Sequence, residues 1–187
     1  MSGQNKFNPY VQGKRIYLRE VSLSDVNDTY YRWMNDPEIN RYIESRFLPN
    51  DMDSLRDDVQ KKLEDQNSVF LAIICKDTER HIGNIKLGPI DWNHRLADVG
   101  VLIGERGYQG RGYATEAIAL VVELAFQDLN LHKLTAGYYA ANKGSEKAFK
   151  RNGFIVEGVR TRHRFCEGSY MDTVILGLLN EEKGAKR

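Results

Sequence analysis

The segment Gly107-Tyr-Gln-Gly-Arg-Gly-Tyr-Ala-Thr-Glu116 makes the clearest chemical suggestion in this chain. Gly110 and Gly112 carry no side chain, so the backbone there can come close to a ligand. A helical pattern follows, and the first N–H groups of a helix have no partner within it. Free N–H groups beside bare backbone form an anion site suited to phosphate. The same glycine pair also serves as a plain tight turn. A P-loop would continue Gly-Lys-Ser or Gly-Lys-Thr, and this segment does not. A dinucleotide fingerprint wants a small residue where Thr115 stands, and the strand before it lies far from the chain start. ATP and NAD are disfavoured, and another pyrophosphate ligand is wanted.

The elements that must hold this loop can be read on either side of it. Ile16 to Val21 reads as a first strand, and Ser24-Asp25 can cap a helix bearing Val26, Tyr30, Trp33 and Met34. Asn35-Asp36-Pro37 stops that helix. Asp53 to Gln66 reads as a second amphipathic helix. Val69 to Cys75 is continuously apolar, as a buried central strand would be. His81 to Ile90 follows as its hairpin partner, and Arg95 to Gly104 is the next strand. Tyr113 to Leu129 is the best helix, with Ile118, Val121, Val122, Ala125 and Phe126 at three- and four-residue spacing. Lys133 to Tyr139 is a strand, and Gly144 to Asn152 a short helix closed by Gly153. Phe154 to Val159 and Met171 to Leu178 are closing strands paired across a polar turn. The strand–helix–strand unit calls for a parallel pair and the hairpins for antiparallel ones. A mixed sheet with helices on its faces satisfies both.

The chain has 187 residues, the length of one domain with its own core. We expect a loose start over residues 1–12, a single domain over 13–180 and a charged tail over 181–187. Lys plus Arg is 27 and Asp plus Glu is 26, so the balance gives no electrostatic footprint for nucleic acid or an anionic membrane. The longest wholly apolar run, Val69 to Cys75, is far short of a bilayer span, and the start has no apolar signal core. Cytoplasmic residence is the default. Cys75 and Cys166 are too few and too far apart for a disulfide scaffold or a metal site. Self-association is left open.

Two blocks of residues resemble a known family. Gln109-Gly-Arg-Gly-Tyr-Ala-Thr-Glu-Ala117 is similar to the pyrophosphate loop of the GNAT acetyltransferases. Ala141-Asn-Lys-Gly-Ser-Glu-Lys-Ala-Phe-Lys-Arg-Asn-Gly-Phe154 resembles that family's Asn, Ser and a helix ending in Gly-Phe. The resemblance runs from about Arg15 to Leu179. Within the family it lies nearest the branch of ribosomal-protein N-terminal and spermidine acetyltransferases. It implies an α/β (α+β) fold, a mixed and mostly antiparallel sheet of about six to seven strands with helices on both faces. It implies acetyl-CoA as co-substrate, no metal, and an acceptor that is a small-molecule amine or a protein N-terminus.

The same resemblance assigns positions. Gln109, Gly110, Arg111, Gly112, Tyr113, Ala114 and Thr115 match the cofactor loop. Val101, Leu102 and Ile103 match a strand whose backbone binds the pantetheine arm. Asn142 matches an Asn near the thiol end, and it can equally cap the helix after it. The loop departs by holding Gly107 where a Gln or Arg often stands. A larger departure is Phe149, where many members carry a Tyr that protonates the leaving thiolate.

Acyl transfer to an amine needs a base for the ammonium proton, because a free alkylamine has a pKa of about 10. Asp98 begins the strand near the acceptor entrance and can act as base or orient a water; otherwise it is a surface carboxylate paired with Arg95 or Arg111. His94 is the nearby histidine, in what reads as an exposed turn. Tyr138 and Tyr139 alternate on a strand, so one faces the cleft and can replace the missing Tyr. Asp36 to Arg46 lies where members build the acceptor wall. Its mixed charges say polar acceptor and no more. No cysteine sits in either motif, so direct attack is expected. The candidate acceptors are a protein N-terminus and a polyamine. An aminosugar nucleotide, or a non-catalytic acyl-CoA-binding module, is the alternative.

Overall fold

Val69–Cys75 forms strand β3, and its continuous apolarity has a simple cause. Leu71, Ile73 and Cys75 enter one core and Ala72 and Ile74 another, on opposite faces of the sheet. A computed structural model describes residues 8–47 and 50–180. Its sheet has eight strands in the order β1-β2-β3-β4-β5-β6-β8-β7. The others are β1 Val11–Gln12, β2 Ile16–Glu20, β4 Arg80–Asp91, β5 Leu96–Ile103, β6 Lys133–Tyr139, β7 Ile155–Cys166 and β8 Ser169–Leu179. Only β5 and β6 pair in parallel, as the intervening helix requires; all other neighbours are antiparallel. The strand beyond the expected six to seven is the two-residue β1, which lies within the stretch read as loose.

Helices cover both faces. Helix α4 (Tyr113–Glu123) and α5 (Lys143–Lys150) pack on one; α1 (Asp28–Asn35), the short α2 (Pro37–Asn40) and α3 (Met52–Glu64) pack on the other. The first helix begins later than Ser24-Asp25 suggests. Asn27 caps it, accepting from the Thr29 and Tyr30 N–H groups at 2.9 and 3.3 Å. Asp25 is occupied elsewhere, in a buried pair with Arg19 at 2.7 Å. Tyr30, Trp33 and Met34 nonetheless face the core as their spacing demands. The apolar period of α4 continues to its expected end, but Leu124–Asp128 widens into a π turn.

The last hairpin is longer than expected. Strands β7 and β8 meet at Glu167 and Gly168, and register shifts between Arg160 and Arg164 bulge β7. Tail residues 181–187 and residues 1–7 lie outside the described residues.

Candidate active site

The glycine loop leads into α4 as the sequence requires. Gly110 has φ +71° and Gly112, the N-cap, has φ +83°, conformations that glycine adopts without strain. A Cβ on Gly110 would meet open space, and one on Gly112 would meet only the end of Arg15 at 3.4 Å. The space in front of both is therefore empty of protein. The first-turn N–H groups of Tyr113, Ala114 and Thr115 have no intrahelical acceptor. The cradle is braced from a distance. Arg15 pairs with Glu116 at 2.9 Å and donates to the Arg111 carbonyl at 2.9 Å, and its guanidinium lies over the Tyr113 ring. The Gln109 side chain turns away from the cradle and donates to the Ile103 carbonyl at 2.8 Å.

Strands β5 and β6 pair only through Leu96–Lys133, Ala97–Leu134 and Asp98–Thr135. Beyond that they part. The facing edges of Val99–Ile103 and Ala136–Tyr139 are then left without strand partners among the described residues. Val101 thus offers its backbone to the gap, whereas the Ile103 carbonyl is already taken. Leu102, expected beside Val101, turns its backbone the other way, toward Asn84 of β4, because successive residues of a strand point their N–H and C=O groups to opposite edges. Asn152 holds the two helices at the far side, donating to the carbonyls of Thr115 and Ala148 at 3.0 and 2.8 Å.

Asp98 stands at the fork. Strand β4 bulges opposite it, between Leu87 and Ile90, and Thr135 donates to its carboxylate at 2.9 Å. Neither Arg95 nor Arg111 is its partner. Its side chain reaches solvent, yet the surrounding protein desolvates it and raises its pKa; Thr135 and Lys86 oppose that rise. Pairing places Lys86 opposite Gly100, so both share the face of Asp98 and Thr135. A Cβ on Gly100 would also meet open space. His94 lies in the exposed turn and pairs with Asp91 at 2.9 Å.

The two tyrosines face opposite ways. Tyr138 enters the core under α5, and Tyr139 faces the side of Asp98. The Tyr139 hydroxyl donates to Glu44 at 2.7 Å and accepts from Arg46 at 3.0 Å. Burial, with Glu44 next in effect, pushes its pKa up. Its one proton points at Glu44, so the hydroxyl organises the wall and is poorly placed to serve a thiolate. Tyr139→Phe should therefore raise the acceptor KM severalfold and change kcat by less than threefold, on the order of one lost hydrogen bond. Tyr138→Phe should behave as wild type. A large kcat loss at unchanged KM for Tyr139→Phe would restore it as the proton donor. Phe149 is buried and meets Phe154 edge-on at 5.1 Å, so a hydroxyl added there enters packed core. Asn142 caps α5 through its side-chain oxygen, which accepts from the Ser145 N–H at 3.0 Å. That leaves its amide NH₂ as the group able to reach a ligand.

The segment 36–46 forms a wall against the β7–β8 hairpin. Arg46 also donates to the Phe165 carbonyl at 2.7 Å, and Glu44 pairs with Arg164. A hollow of 560 Å³ lies there, lined among others by Asn40, Arg41, Arg46 and Cys166. Arg15, Thr135, Lys86 and Asn152 were not singled out from sequence. Apart from the bond of Asn152 to Ala148 in its own turn, their partners stand between 12 and 101 residues away, and no local spacing marks them.

This arrangement has counterparts. The acetyltransferase (GNAT) domain model matches residues 15–155. The chain is 30% identical over 174 residues to an uncharacterized N-acetyltransferase, p20, of Bacillus licheniformis, covering 90% of this chain and 95% of that one. It is 31% identical over 164 residues to the spermidine N(1)-acetyltransferase of Escherichia coli K12, covering 86% of this chain and 80% of that one. A crystal structure of spermidine N-acetyltransferase from Vibrio cholerae, in complex with CoA and spermine, shares the fold. Its TM-score is 0.82 at 24% identity, covering 90% of this chain and 98% of that one.

Proposed function

The chain belongs to the GNAT acetyltransferases and is an N-acetyltransferase; from that premise we propose that it transfers the acetyl group of acetyl-CoA to a primary amine by direct attack in a ternary complex. The observation that carries this reading is the fork of β5 and β6, which opens toward the glycine cradle. The cradle fits a pyrophosphate, because its N–H groups lack protein acceptors among the described residues and its glycines leave the space before them open.

Backbone N–H groups from Gly110 to Thr115 bind the pyrophosphate, and Arg111 adds positive charge. Val101 holds the acyl arm through its backbone; Gln109 fixes the strand end by its bond to Ile103. When bound, acetyl-CoA supplies an activated thioester. Asp98 takes the ammonium proton at its carboxylate, directly or through one water. Thr135 orients that carboxylate and Lys86 keeps it ionised. The amide NH₂ of Asn142 donates near the thiol end. Neither cysteine is placed to form an acyl-enzyme, since both are buried, one near Tyr113 and one at the hairpin end. The spermidine relative supports an amine acceptor. A protein N-terminal amine suits the same chemistry.

Thiol release from acetyl-CoA, measured with a panel of amines, tests this. Release should depend on the amine, and double-reciprocal plots should intersect. Tight acetyl-CoA binding with no release from any amine would leave a binding module in place of an enzyme reaction at this site.

A further inference from the structure

The charges on the acceptor side are unevenly satisfied. Asp36 and Glu38 are held by Arg106, Glu167 by Arg41 and Glu44 by Arg164. Glu157 is held by Lys133. Asp172 accepts the backbone N–H of Arg162 at 2.8 Å and has no ion pair among the described residues, but alternation along β8 turns it away from the face of Thr173 and Tyr139. Asp98 is thus the carboxylate on this face left without an ion pair among the described residues.

Cations on the same face are freer. Arg46 donates to the Tyr139 hydroxyl and to the carbonyls of Ile43 and Phe165, with no carboxylate in direct contact among the described residues. Arg160 is exposed and has no ion pair among them. Register places it opposite Thr173, which is itself opposite Tyr139, so all three side chains share one face. Lys86 flanks Asp98. An oligocation entering this cleft meets three cations and one free carboxylate, and like charges brought together are penalised.

We propose that the acceptor is an elongated amine carrying a phosphate or carboxylate, which Arg46 and Arg160 hold, and that polyamines are poor acceptors. Tyr139 lies four residues beyond Thr135, about 13 Å along the strand, so the anion sits roughly 10 Å from the amine. That span excludes a free α-amino acid, whose two groups are separated by a single carbon. Arg160 suits both anions, because its planar N–H fork matches two oxygens; Arg46, with three N–H groups already donated, adds its charge and its remaining N–H groups. The inference rests on the proposed acyl transfer for the identity of the cleft.

The test uses acetyl-CoA turnover with three acceptors. They are spermidine, an aminohexose linked to a nucleoside diphosphate, and a tripeptide amide with glutamate at its third position. One anionic acceptor should exceed spermidine in kcat/KM by at least tenfold, and which one it is tells phosphate from carboxylate. Arg160→Gln, an exposed substitution, should raise the KM of that acceptor about tenfold, the loss of one charge-assisted contact, and leave its kcat unchanged, while spermidine, relieved of one like charge, should be turned over no less well. Spermidine as the best acceptor overturns the inference while upholding acyl transfer. An unmoved KM in Arg160→Gln overturns it too. If no amine is turned over, acyl transfer fails, and calorimetry of the two anionic probes on CoA-loaded protein decides instead. Binding weakened by Arg160→Gln supports the anion site; absent or unweakened binding rejects it.

Discussion

Gly112→Val should weaken acetyl-CoA binding by at least a hundredfold. Two backbone contacts to a charged group, at about 1.5–3 kcal/mol each, account for a loss of that size. The valine side chain would stand in the open space before the first turn of α4, where a pyrophosphate meets the N–H groups. The structure adds a cost that the residue types alone do not show. At φ +83° a valine is strained, by about 1–3 kcal/mol, so the melting temperature should fall as well. Gly168→Val separates the two effects. Gly168 has φ +78° and open space around it, at the β7–β8 turn. It should lose comparable stability and keep its acetyl-CoA affinity. Calorimetry on both variants checks this, and an unchanged affinity in folded Gly112→Val would remove the phosphate cradle from the mechanism.

Asp98→Asn is expected to lower kcat/KM by roughly 10²-fold at neutral pH, the usual scale for an acid–base group. An aspartate at its ordinary pKa of about 3.9 is a feeble base for an amine, which favours a relay through water. Desolvation at the fork raises this pKa and makes the carboxylate a better base, so direct proton removal gains ground. The sign follows. As pH falls through the raised pKa the carboxylate takes up a proton, and wild-type kcat/KM falls; the Asn variant lacks that limb. As pH rises toward the amine pKa of about 10, free amine needs no base and the deficit shrinks. A pH–rate profile of both proteins tests it. A deficit constant from pH 7 to pH 10 would assign Asp98 to binding or folding.

Local pattern carried much of this reading, and the misses share one cause. Val69–Cys75 was legible because burial on both faces leaves an apolar run, and Lys133–Tyr139 because its buried residues Leu134, Ala136 and Tyr138 alternate. The loop was legible because Gly110 and Gly112 answer a backbone demand within a few residues. Strand β7 was read too short, since Arg160 to Arg164 is exposed at an edge and bulged, and neither condition imposes alternation. Gln109 belongs to the motif, yet its side chain braces Ile103. Asn142 shows the same ambiguity, as its oxygen performs the cap that any helix start would select. The charges of the segment 36–46 said only that the acceptor is polar. Their partners on the distant hairpin decide which of them remain available.

The clasp between Arg15 and Glu116 joins positions 101 residues apart. Synthesis begins at the N-terminus, and at about 5–20 residues per second Arg15 waits on the order of ten seconds for Glu116. Contacts of such separation also form late in refolding, because the long loop between them must close first. A chain that starts beyond Arg15 therefore carries the whole glycine motif without the brace that shapes it. Competence to hold the cofactor thus belongs to two distant stretches of chain together, and not to the glycine segment alone.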